Sequence, residues 1–165
     1  MELQLPAVLA ANRIYQYTGF HRAPRTAEPS RRLVVLTCMD ARLDVFGALG
    51  LEMGQAHILR NAGGRASADA VRSLVVSAHL LGTREVGVIH HTDCGLEGRT
   101  KEEVAERTGV RGVDFLAFGD VEKSVRQDVD VIRRCGYLPA GFVSWGAVYD
   151  VETGALEIVS EPDAG

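Results

Sequence analysis

Two apolar runs, Leu33-Val34-Val35-Leu36 and Val86-Gly87-Val88-Ile89, constrain this chain more than any other feature. A run without polar alternation suits a strand covered on both faces, which is the mark of a parallel sheet. Each run also ends in reactive side chains. Thr37-Cys38-Met39-Asp40-Ala41-Arg42 follows the first, and His90-His91-Thr92-Asp93-Cys94-Gly95 follows the second. Two strands that each deliver metal-binding groups from their ends point to one shared site.

The remaining chain fits strands alternating with helices. Residues 5–18 form a weakly amphipathic helix with Val8, Leu9, Ala11, Ile14 and Tyr15 on one side, and Gly19 stops it. Residues 21–32 hold Pro24 and Pro29 among polar groups and read as an extended arm, so this helix is expected to pack away from its own core, against a partner subunit. After Arg42 a short helix over 44–49 ends at Gly50, and a brief strand over 57–59 leads into Arg60-Asn61-Ala62-Gly63-Gly64. The paired glycines suggest a backbone approached closely by something, and Gly63 is a candidate substrate contact. Ser67 caps a helix carrying Val71, Leu74, Val75, Ala78 and Leu81, closed by Gly82. A helical turn is expected near 101–107. Asp120 caps a helix whose Val121, Val125, Val129 and Ile132 share a face, with Cys135 expected to extend that core face. The segments 141–149 and 155–159, joined by a turn at 150–154, read as a β-hairpin.

With 165 residues the chain fits a single α/β domain, with a helical arm over 1–31 and a core over 32–165. A net charge of −4 gives no sign of a polyanionic partner, so nucleic acid is not expected. No apolar run approaches the ~18 residues of a membrane span, and the N-terminus lacks a basic region. Membrane association is not expected. Three cysteines without a secretory signal fit ligands or buried thiols in a cytoplasmic protein better than a disulfide framework.

Sulfur and imidazole ligands sharing one zinc ion must converge, since Zn–S is about 2.3 Å and Zn–N about 2.0–2.1 Å. Cys38 and His91 each lie just past a strand, and neighbouring strands are about 4.8 Å apart, so the first strand must lie beside the third. The second then sits outside the first. A mainly parallel sheet of order 2-1-3-4 follows, flanked by helices, with an antiparallel edge strand from the C-terminal hairpin. Its switch point lies between strands one and three, where open α/β sheets form ligand crevices. Cys38, His91 and Cys94 would leave a fourth tetrahedral position open. Asp40 either occupies that position and closes the site, or pairs with Arg42 and accepts a hydrogen bond from hydroxide on the metal. Only the second arrangement suits catalysis.

Cys-x-Asp-x-Arg after the first strand, Arg-Asn-Ala-Gly-Gly after the second and His-x-x-Cys-Gly after the third resemble the β-class carbonic anhydrases, the short-chain subset most closely. The resemblance implies Zn2+ held by Cys38, His91 and Cys94, and an Asp40/Arg42 dyad. It also implies reversible hydration of CO2 to bicarbonate by a zinc-bound hydroxide, in a homodimer or homotetramer wrapped by the N-terminal arm. Many members carry serine between the dyad residues where this chain has Ala41, so a hydroxyl is missing.

Two other functions share these motifs. The same attack would hydrolyse carbonyl sulfide or carbon disulfide, and a site closed by Asp40 would make a non-catalytic sensor or scaffold. A phosphatase loop would need an arginine six residues after Cys38, where Asp44 stands. His57, His79 and His90 are expected to be structural or solvent-facing, and Asp93 to shape a turn.

Overall fold

A computed structural model describes residues 3–20 and 24–164. It contains a five-stranded sheet of order β2-β1-β3-β4-β5. The chain runs α1 (Leu5–Thr18), β1 (Leu33–Cys38), α2 (Val45–Leu49), β2 (Ala56–Asn61), a 3-10 turn (Ala62–Gly64), α3 (Ala68–Leu80), β3 (Glu85–His91), α4 (Lys101–Thr108), α5 (Val121–Arg133), β4 (Val143–Tyr149) and β5 (Leu156–Ala164). β1 pairs in parallel with both β2 and β3, and β3 with β4, while β5 returns antiparallel. The expected strand order and hairpin are both present. The second strand is longer than its apolar residues suggested, because pairing with β1 carries its regular backbone to Asn61, opposite Cys38.

Val34 and Leu36 point to one face of β1, where they join Leu74 and Ala78 of α3 and Val125, Val129 and Ile132 of α5. Val35 points to the other, with Leu43, Val45, Ile89, Phe118 and Ala147. Both faces are covered, and that burial explains why the run contains no polar alternation. Gly146 lets α5 lie close on β4, since a Cβ there would run into the Val125 side chain.

The helix termini follow their sequence signals. The side chains of Asp44, Ser67 and Asp120 accept from backbone N–H groups in the first turns of α2, α3 and α5, and Thr100 with Glu103 forms a capping box on α4. The expected core position of Cys135 is corrected: α5 ends at Arg133, and Cys135 sits past it, only partly buried. The chain turns there because the Arg134 and Cys135 N–H groups close the helix on Asp130 and Ile132 carbonyls.

α1 buries none of its residues, and Leu5, Val8, Leu9 and Ile14 remain exposed. Residues 21–23 of the expected arm lie outside the described residues. Residues 24–32 carry no helix or strand, and Ser30 and Arg31 N–H groups tie them to the Gly54 and Gln55 carbonyls. Among the described residues no helix is long and apolar enough to cross a membrane.

Candidate active site

The parallel register that sets Thr37 opposite Ile89 brings the ends of β1 and β3 side by side. Cys38, His91 and Cys94 converge there, with one ligand atom from each lying within 4.8 Å of the others, and all three residues are buried. His91 Nδ1 lies 2.8 Å from the Thr92 carbonyl. A carbonyl only accepts, so Nδ1 carries the proton and the Nε2 lone pair faces the thiols. Nε2 is buried without a hydrogen-bond partner. Two thiols beside an unpartnered imidazole nitrogen form a donor set that fits zinc, with the imidazole oriented by a backbone carbonyl.

The cluster already favours an anion. The neighbouring Cys94 side chain pulls the Cys38 thiol well below its ordinary pKa despite burial, with His91 and the backbone of Asp40 and Gly63 acting in the same direction. Cys94 is correspondingly pushed up by Cys38 and by burial. Burial opposes a charge on His91, but the Cys38 sulfur and Thr92 carbonyl outweigh it and raise its pKa.

Asp40 faces Arg42. The Arg42 guanidinium donates to Asp40 through Nε (3.0 Å) and Nη2 (2.8 Å), and the Arg42 backbone N–H adds a third bond at 2.9 Å. These bonds hold the Asp40 carboxyl far below the usual carboxylate range. Its Oδ2 comes only to 3.8 Å from His91 Nε2. Asp93 adopts a left-handed backbone (φ 55°), which makes the expected turn. Asp93 also binds Arg42, accepting at 2.7 Å through its carboxylate and at 3.0 Å through its carbonyl.

The glycine pair is pressed against this site. Gly63 (φ 77°) packs on Leu96, and its backbone helps to lower the Cys38 pKa. Gly64 (φ 69°) lies so close to β1 that a Cβ would come 3.0 Å from the Cys38 nitrogen. His57 bonds Ser77 and the Ala27 carbonyl, His79 bonds the Tyr137 carbonyl, and His90 is fully buried; all three match the structural role expected of them.

The roles of several groups around the site were not legible in the motifs. Arg60 donates to the carbonyls of Cys38, Asp40 and Leu43, which shapes the turn carrying the dyad. Arg65 and Asp128 form a buried pair that reaches His90. One signal was available: Ser124 and Asp128 fall three residues after Val121 and Val125, so they are polar groups on the buried face of α5.

The carbonic anhydrase family model matches residues 33–113, which span the whole constellation. Beta-carbonic anhydrase 1 of Mycobacterium tuberculosis is 38% identical over 155 residues, covering 91% of this chain and 94% of that protein. A carbonic anhydrase structure from Streptococcus mutans superposes with a TM-score of 0.85 at 40% identity, over 97% of this chain and 99% of that one. A carbon disulfide hydrolase of Acidithiobacillus thiooxidans is 30% identical over 152 residues, covering 77% of this chain and 76% of that protein. The chain belongs to the β-carbonic anhydrase family.

Proposed function

We propose that the protein catalyses the reversible hydration of carbon dioxide to bicarbonate and a proton, with zinc held by Cys38, His91 and Cys94. The observation that carries this is the buried, unpartnered His91 Nε2 facing two thiols, beside a carboxylate turned onto an arginine. Zinc there would supply Lewis acidity, lowering the pKa of water so that a nucleophile exists near neutral pH.

The chain's own groups do the rest. The thiolates of Cys38 and Cys94 supply two negative charges to offset the ion's two positive ones. An ionised Asp40 accepts hydrogen bonds and cannot donate, so it favours a proton-bearing nucleophile at the open position over an aprotic ligand. Arg42 keeps Asp40 ionised and occupies both of its carboxylate oxygens, leaving Oδ2 3.8 Å from His91 Nε2, which supports an open site over one closed by Asp40. Asp40 and Arg42 therefore orient the nucleophile and select what occupies the site. Gly63 would hold the Cys38 sulfur and line the pocket.

The similarity to a carbon disulfide hydrolase supports a second substrate class, carbonyl sulfide or carbon disulfide, on the same residues. Purified, zinc-loaded protein assayed with both classes decides between them. A higher kcat/KM for CO2 is expected, and a preference for a sulfur substrate would overturn the assignment.

The exposed apolar side of α1 supports a homodimer in which each arm lies on the partner. Leu9→Asp with Ile14→Asp should shift the sedimentation coefficient towards a monomer, and an unchanged value would refute arm-mediated assembly. Three free cysteines fit a reducing, cytoplasmic setting.

A further inference from the structure

The 96–118 segment departs right after Cys94 and Gly95 and comes back to the core at Phe118. Its ends are joined there. Glu97 N–H donates to the Cys94 carbonyl at 2.9 Å, Phe118 N–H to the Leu96 carbonyl at 3.2 Å, and Gly98 N–H to the Phe118 carbonyl at 2.8 Å. Before Cys94 the loop is tied to the end of β4 by Thr92, whose N–H donates to the Tyr149 carbonyl and whose hydroxyl accepts from Val151 N–H. The exposed Arg42 holds the Asp93 carbonyl and the half-buried Arg99 the Gly95 carbonyl. On the C-terminal side of Cys94, the buried side chain at this junction is Phe118.

Phe118 lies between a cation and an imidazole. The Arg65 guanidinium carbon is 5.3 Å from its ring centroid, and its ring stacks on His90 at 5.7 Å with 28° between the planes. Arg65 also donates to the Leu116 carbonyl at 2.9 Å, two residues before Phe118. The Arg65 fork is fixed by Asp128, with Nε–Oδ2 2.8 Å and Nη2–Oδ1 3.1 Å. His90 is fixed by Ser124 at 2.7 Å and by the Gly64 carbonyl and Asp128, each at 3.2 Å.

A buried ion pair returns in attraction little more than its desolvation takes away, so stability alone does not account for this cluster. What it supplies is placement: a rigid guanidinium fork aimed at one carbonyl and one ring. We propose that Phe118, held by Arg65, Asp128 and His90, is a positioning residue for Cys94. The cluster bolts the loop so that the Cys94 sulfur stays where a metal needs it. This rests on the assignment of Cys94 as a zinc ligand, and it gives the 96–118 segment a role.

Phe118→Leu keeps the position apolar but removes the flat ring, and Ile132→Val serves as a core control away from the loop. Zinc release from the loaded full-length proteins to a chromophoric chelator is the readout. Phe118→Leu should release zinc about 10-fold faster or more, Ile132→Val should stay within about 2-fold of the parent, and Phe118→Tyr should restore slow release. Unchanged release in Phe118→Leu, or equal acceleration in Ile132→Val, would overturn the proposal. Should Phe118→Leu fail to fold, Asp128→Glu replaces it with the same expected and contrary results. Should the parent hold no zinc, the ligand assignment fails by itself. Hydrogen exchange then decides the anchoring: the Glu97 and Gly98 amides should exchange faster in Phe118→Leu than in Ile132→Val, and equal rates would refute it.

Discussion

Gly64→Ala isolates the contact between the glycine turn and the strand that carries Cys38. At φ 69°, an alanine bears the left-handed penalty of about 1–2 kcal/mol. Its Cβ would also sit 3.0 Å from the Cys38 nitrogen and the Thr37 carbonyl carbon, and 3.2 Å from His90 Cδ2. Two of these are backbone atoms of a central strand and cannot swing away, so overpacking adds about 1–3 kcal/mol. The total is about 2–5 kcal/mol, or about 4–20 °C in Tm at this chain length. Gly82→Ala is the matched control, with φ 73° and nothing within 4 Å of the added atom. It should cost only the conformational part, about 1–2 kcal/mol. Thermal unfolding of both metal-free variants by circular dichroism measures the difference. Equal destabilisation by the two substitutions would refute the close approach of Gly64 to β1.

The dyad and the buried ion pair give two more expectations. Asp40→Asn removes the charge that Arg42 holds in place, so kcat for CO2 hydration should fall about 100- to 1,000-fold with zinc content unchanged. Unchanged turnover would eliminate the assigned role. Burial opposes the charge on Asp128, but hydrogen bonds from His90 and Arg65 outweigh it and lower its pKa in the folded protein. Its contribution is therefore fully present above the unfolded carboxyl value of about 3.9 and is lost as pH falls through the lower folded value. Urea unfolding of metal-free protein should show Asp128→Asn costing about 3–5 kcal/mol at neutral pH, a gap that narrows below about pH 4. A gap independent of pH would show that the Asp128 charge is not what stabilises.

The sheet was legible because both central strands are apolar throughout and end in side chains that must meet, which fixes β1 beside β3 before any coordinate is known. That Cys38, His91 and Cys94 converge, with Asp40 and Arg42 beside them, was legible for the same reason: each sits within a few residues of a strand end. The orientation of Asp40 was not, since the sequence permits it to face either the metal position or Arg42. Arg60 opens the Arg-Asn-Ala-Gly-Gly motif, but its role was hidden because it binds backbone carbonyls, which leave no signature in residue type. The Arg65–Asp128 pair spans sixty-three positions and becomes visible only once α5 packs on the sheet. Cys135 misled because helical spacing continued past Arg133 while the backbone did not.

The metal site and the position of Asp40 are tested together by X-ray absorption at the zinc edge, on the loaded protein and on Asp40→Asn. Two sulfurs at about 2.3 Å, one imidazole nitrogen at about 2.0–2.1 Å and one further light atom are expected. The Asp40→Asn spectrum should be the same, because Asp40 lies on Arg42 and not on the metal. A light-atom shell lost or altered in Asp40→Asn, or a protein that retains no zinc, would contradict an open Cys38–His91–Cys94 site.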